Sequence, residues 1–117
     1  MHNFKELKIW QKGRQFVKDI YILTRKFPNE ELFVLTSQMR RAAISIPSNI
    51  AEGSGRGTDK DFARFLDIAT GSAYELESQL YIACDLEYFP EAELDMYLEK
   101  IQELQKMIFN FKKRISE

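Results

Sequence analysis

Apolar side chains recur at three- and four-residue intervals along almost the whole chain, and the interruptions between these runs are short. That spacing places side chains on one face of an α-helix, so the pattern predicts helix throughout. The first segment runs from about residue 4 to 27 and carries two apolar stripes. One holds Leu7, Trp10, Val17, Ile20, Tyr21 and Thr24, the other Ile9, Phe16, Leu23 and Phe27. A helix with two such stripes has neighbours on more than one side, or a partner subunit. At "FPNEE" Pro28 stops this helix, Asn29 can cap the next, and Glu30 and Glu31 suit its positive N-terminal end. A second helix is predicted over about 30–53.

The next break is "GSGRGTDKD", where Thr58 or Asp59 can accept from the free N–H groups of a third helix over about 59–87. Its apolar stripe is Phe62, Phe65, Leu66, Ala69, Ala73, Leu76, Leu80, Ala83 and Cys84. At "EYFPEAE" Pro90 fits a first helical position, and a fourth helix over about 91–115 follows, with Leu94, Leu98, Ile101, Leu104, Ile108, Phe111 and Ile115 in its stripe. Four long amphipathic helices with short connections predict one all-α domain over residues 1–117, an antiparallel up-down-up-down four-helix bundle.

The run "SQMRRAAISIPSNIAEGSGRG", Ser37 to Gly57, has the residue types of an active-site signature. Placed on a helix it resolves into three rows. Leu35, Met39, Ala42, Ile46 and Ile50 form a core stripe; Ala43, Pro47, Ala51 and Ser54 form a small-residue stripe; Gln38, Arg41, Ser45, Asn49, Glu52 and Arg56 form a polar stripe. Pro47 removes one helical hydrogen bond and crowds the carbonyl of Ala43, which predicts a bend. Small residues beside it let another helix approach closely, and Gly53 frees the chain to turn. Gln38, Arg41, Ser45, Pro47, Asn49, Glu52 and Gly53 therefore read as a structural or interface motif. The competing reading, an enzyme with Glu52 as base and Asn49 or an arginine holding an anion, finds no histidine or metal set to support it.

Composition narrows the chemistry further. With 117 residues the chain suits a single domain. No stretch approaches the roughly 18 consecutive apolar residues of a membrane span, and "MHNFKELKIW" lacks the apolar core of a signal peptide, so a cytoplasmic location is expected. The only cysteine, Cys84, excludes an internal disulfide and a multi-thiolate metal site. The only histidine, His2, excludes Glu-x-x-His di-iron pairs and multi-histidine zinc, and is expected to be a solvated terminal residue. Cys84 has no histidine to activate it and reads as core. The glycines of "GSGRG" follow a helix rather than a strand, unlike a dinucleotide loop. No metal or cofactor is called for.

The net charge of -1 conceals segregation. Residues 1–64 carry 12 Lys/Arg against 7 Asp/Glu, residues 65–99 carry 9 acids and no base, and residues 100–117 carry 5 Lys/Arg against 2 acids. Such segments can complement one another within a bundle or between subunits. Lys5, Lys8, Lys12, Arg14, Lys18, Arg40, Arg41 and Arg56 are the candidate phosphate contacts if nucleic acid is bound. Single-strand recognition also wants exposed aromatics, and Trp10, Phe16 and Tyr21 fall at core-like positions.

The stretches "FPNEELFVLTSQMRRAAISIPSNIAEGSGR" and "DFARFLDIATGSAYELESQL" closely resemble the bacterial four helix bundle proteins that include those encoded in intervening sequences of 23S ribosomal RNA genes, also labelled ribosomal proteins. The resemblance extends from "FKELKIWQKG" through "LEYFP". It implies a four-helix bundle that assembles into a ring, typically a homopentamer, with no enzymatic activity attached. The accessory proteins of diversity-generating retroelements look similar in fold and use a basic ring to engage a reverse transcriptase and nucleic acid. This chain's near-neutral balance departs from their strongly basic character. The expectation is a non-enzymatic, ring-forming scaffold or accessory protein whose partner is itself, with RNA, DNA or a nucleic-acid-processing protein as the alternative partner.

Overall fold

The computed structural model describes residues 2–117. They form four long helices, α1 (Lys8–Thr24), α2 (Leu35–Ser54), α3 (Asp59–Asp85) and α4 (Leu94–Ile115), with single 3-10 turns at Phe4–Glu6, Asn29–Glu31 and Glu91–Glu93. No strand occurs among the described residues, and the fold is an all-α helical bundle. Its extents are 43 × 25 × 20 Å. Helix α2 packs extensively on α3 and on α1, and α3 packs on α4, whereas α1 and α4 touch more sparingly.

The helix boundaries differ from those expected at several ends, each for a local reason. Leu7 is extended, so the first turn is a separate unit, capped by the Asn3 side chain accepting from Lys5 N, and α1 begins only at Lys8. Helix α1 ends at Thr24, short of the expected 27, Pro28 is extended, and Asn29 is no side-chain cap but opens a single 3-10 turn, Asn29–Glu31, after which the backbone breaks again at Val34 (φ -120, ψ -99). Helix α2 therefore starts at Leu35, not at residue 30. Helix α3 is capped by Thr58, whose Oγ1 accepts from Asp61 N at 3.1 Å. Its far end closes with Tyr88 N donating to Ala83 O and Glu87 N to Cys84 O, which satisfies carbonyls left free by the last turn. Glu87 takes the left-handed conformation there (φ 62), a place where glycine is usual. Pro90 is extended, and one 3-10 turn leads straight into α4.

The core is built from side chains that the periodicity selected. Ile20, Leu23, Met39, Ile46, Ile50, Phe62, Leu66, Leu76, Leu80, Ile101, Leu104 and Ile108 are all fully buried. Each stabilises the fold by about 1.5–3 kcal/mol relative to exposure. On α1 the two stripes separate. Ile9, Phe16, Leu23 and Phe27 enter the core together with Ile20 and Thr24, while Leu7, Trp10, Val17 and Tyr21 stay half-buried at its margin. Helix α2 remains one helix through Pro47. Two glycines sit at helix contacts: Gly13 of α1 faces Ile46 and Pro47, and Gly53 of α2 lies under Phe62 and Phe65 of α3.

His2 is not a solvated end. Its backbone N donates to Ser54 O at 3.1 Å, its Nε2 lies 3.2 Å from Asp59 Oδ1, and its ring packs on Phe62 and Phe111 at centroid distances of 5.1 and 5.9 Å. The aromatic cluster offers more buried contact than water does, so the terminal segment folds back over this end of the bundle.

Candidate functional site

The motif residues of α2 divide among three surroundings. Ser45 turns toward α3, and Asn49 braces it from the next turn of α2. The two hydroxyl oxygens of Ser45 and Ser72 lie 2.7 Å apart, and Asn49 Nδ2 donates to Ser45 O at 2.8 Å and to Ser45 Oγ at 3.0 Å. This small network lies at the α2–α3 contact, where partly buried polar groups need partners. Gly53 belongs to the same contact: a Cβ at that position would come within 2.7 Å of Phe65 Cβ and 2.8 Å of Phe62 Cδ1. Pro47 instead faces α1, beside Gly13.

Gln38, Arg41 and Glu52 point to solvent. Glu52 makes a loose 3.9 Å ion pair with Arg56, whose guanidinium also sits 4.7 Å from the Phe65 ring centroid. Glu52 is exposed and lies in no enclosed pocket that could hold a substrate against it, so it lacks the surroundings of a catalytic base. Arg41 makes no ion pair or side-chain hydrogen bond among the described residues. The motif thus joins helices on one side and meets solvent on the other.

The candidate cations are not gathered into one patch. Lys5 lies in the 3-10 turn before α1 and Lys8 opens α1. Lys12 is paired with Glu103 of α4 at 3.0 Å. Arg14 covers Trp10, with its guanidinium carbon 5.3 Å from the ring centroid, and shares a shallow cleft with Lys18, Gln11 and Gln15. Arg40 Nε donates to Thr24 Oγ1 at 2.8 Å while its guanidinium stacks 4.5 Å from the Tyr21 centroid, so it joins α2 to α1. Residues 65–99, all acidic in their charge, reach the basic segments at two exposed or half-exposed places: Asp67 with Lys112, and through Glu77 with Gln102 and Gln105.

Cys84 is half-buried rather than fully in the core, and it lines a cavity of about 780 Å³ with Tyr81, Tyr88, Phe89 and the acids Asp85, Glu87 and Glu91. Burial, then the charges of Glu91 and Asp85, push its thiol above its ordinary range, the opposite of nucleophile activation. Beside it Tyr88 donates a 2.5 Å hydrogen bond to Glu31 Oε2, and this bond is the first cause of a phenol pKa pushed up to about 12. Among the described residues no group of three or more His, Cys, Asp or Glu is placed to hold a metal ion, and no helix is long and apolar enough to cross a membrane.

What the hydrophobic pattern did not select is the outer surface of α3. Ile68, Tyr74, Tyr81 and Ile82 are 46–58 % exposed there. Ile68, Glu75 and Ile82 recur every seven residues outside the core stripe, which is the signal that marks them. A second apolar surface lies between α1 and α2, where Trp10, Val17, Pro47 and Ala51 line a groove with the exposed Ile44.

Residues 5–110 match the protein family described as 23S rRNA-intervening sequence protein, and the chain belongs to that family. It is also similar to the crystal structure of a protein of unknown function from the S23 ribosomal protein family of Bacteroides thetaiotaomicron VPI-5482. The two share 27% sequence identity with a TM-score of 0.82, over 90% of this chain and 95% of that one. No curated protein matches the chain.

Proposed function

We propose that this family member is a non-enzymatic scaffold of the cytoplasm, an up-down-up-down bundle that associates with copies of itself into a closed ring. The observation that carries the reading is apolar surface left exposed on ordered helices: Ile68, Tyr74, Tyr81 and Ile82 on α3, and Ile44 at the α1–α2 groove. Contiguous exposed apolar surface on a folded chain marks an interaction site. The residues with the best claim to chemistry support the same reading, because Ser45 is engaged with Ser72 of α3, Asn49 is engaged with Ser45, and Glu52 is solvated. The resemblance of the motif to the ring-forming bundles sets the expected size at five subunits.

Nucleic-acid binding has less support. Of its eight candidate cations, Lys5 and Lys8 lie around the start of α1, Lys12 pairs with Glu103 of α4, Arg14, Arg40 and Arg56 lie over aromatic rings, and Lys18 and Arg41 stand exposed on different helices. Size exclusion with light scattering tests the assembly. The scaffold reading expects a species several times the 13.8 kDa subunit mass at micromolar concentration. A monomer contradicts it.

A further inference from the structure

Two apolar surfaces of unlike charge lie on different helices of this chain. The first is the groove between α1 and α2, with a volume of about 320 Å³ and walls that include Trp10, Val17, Ile44 and Pro47. Its rim is basic. Arg14 lines it and makes no ion pair among the described residues, and Arg41 stands exposed one turn from Ile44. The second is the outer ridge of α3, where Ile68 and Ile82 lie two turns either side of Glu75. This ridge is acidic. Among the described residues Glu75 accepts only from Gln79 of its own helix and Asp85 makes no ion pair, and no Lys or Arg occurs between residues 65 and 99.

Resting on the scaffold reading, we infer that the α3 ridge of one copy docks in the α1–α2 groove of a second copy. Ile68, Glu75 and Ile82, seven residues apart, form a nearly straight row along the helix with an isoleucine at each end and the carboxylate between them, and a row of this spacing can seat between two other helices. Gly71 and Ser78 keep the ridge low between its anchors, which allows close approach. Charge selects the pairing. Ridge on ridge would bring Glu75 and Asp85 against their own copies, and groove on groove would oppose Arg14 and Arg41, whereas ridge in groove joins opposite signs. The contact is therefore between unlike faces. Each copy that docks leaves one ridge and one groove free, so association continues until the ring closes.

Two folded variants with one disabled face each test this. R14E/R41E reverses the groove rim, and I68Q/I82Q removes the apolar anchors of the ridge; all four positions are solvent-exposed, so circular dichroism should be unchanged. Each variant alone is expected at the mass of one subunit by light scattering. Mixed in equal amounts they should form a heterodimer of two subunits and stop there, because one good ridge meets one good groove and the remaining faces are disabled. Adding E75K/D85K to R14E/R41E in one chain restores opposite charges and should return the wild-type mass. If the wild type is oligomeric but either disabled variant keeps its mass, or the mixture stays monomeric, this assignment of faces is overturned while the scaffold reading stands. A monomeric wild type overturns both.

Discussion

Gly13 and Gly53 show how the same residue type serves two different contacts. At Gly53 a methyl group would collide with Phe65 Cβ and the Phe62 ring, whereas at Gly13 it would reach only ordinary contact, 3.5 Å from Ile46. Overpacking costs about 1–3 kcal/mol. Alanine in place of a helical glycine gains up to about 1 kcal/mol. Gly53→Ala is thus expected to destabilise by about 1–2 kcal/mol and Gly13→Ala to be neutral or stabilising, as read by urea denaturation. Glu87 presents the reverse case. Its left-handed backbone strains a side-chain-bearing residue, so Glu87→Gly should raise stability by up to about 1 kcal/mol, with the gain reduced by glycine's larger unfolded-state entropy. At this scale the sequence was only partly legible. The polar row with Ser45 and Asn49 marks an interface, but Gly53, expected to free the chain to turn, instead lies within α2 against Phe62 and Phe65, and these partners, like Ser72, depend on the register between two helices, which no local pattern contains.

The elements were more legible because punctuation and periodicity agree. Pro28, Thr58 and Pro90 end or begin segments where their chemistry demands it. The late start of α2 was hidden, since Val34 carries no turn signal and the break there is fixed by tertiary contacts around Glu31. That carboxylate accepts the Tyr88 hydroxyl and lies 3.5 Å from Leu35 N, so it ties the segment before α2 to the turn after α3. The hydrogen bond holds the tyrosine protonated. A phenol whose pKa rises from 10.0 unfolded to about 12 folded contributes stability that is fully present below pH 10 and is lost as pH climbs toward 12. Wild type should therefore lose Tm more steeply than Tyr88→Phe between pH 10 and 12, with the variant less stable at neutral pH. Parallel slopes in the two proteins would remove the link from its assigned role.

For the whole molecule, the segregated charge of the sequence is used in two ways. Lys12 with Glu103 and Lys100 with Asp19 bridge α1 and α4, where the packing is slightest, and Lys112 meets Asp67 between α3 and α4. Exposed pairs of this kind are worth at most about 1 kcal/mol each, so they orient helices more than they hold them. Other charges make no ion pair among the described residues, among them Arg14 and Arg41 beside the groove and Glu75 and Asp85 on the outer side of α3. With the exposed isoleucines and tyrosines, these are the groups that the proposed contact between copies would join. The doubled stripe of α1 calls for neighbours on more than one side, and α1 packs on both α2 and α4, whereas the outer residues of α3 are not selected by the pattern because a strong core stripe on the same helix absorbs the periodic signal. The most direct measurement is native mass spectrometry of the wild-type chain across a range of micromolar concentrations. A closed ring predicts one dominant species at five times the 13.8 kDa subunit mass, unchanged with concentration, and a monomer or an open ladder of sizes that lengthens with concentration would contradict it.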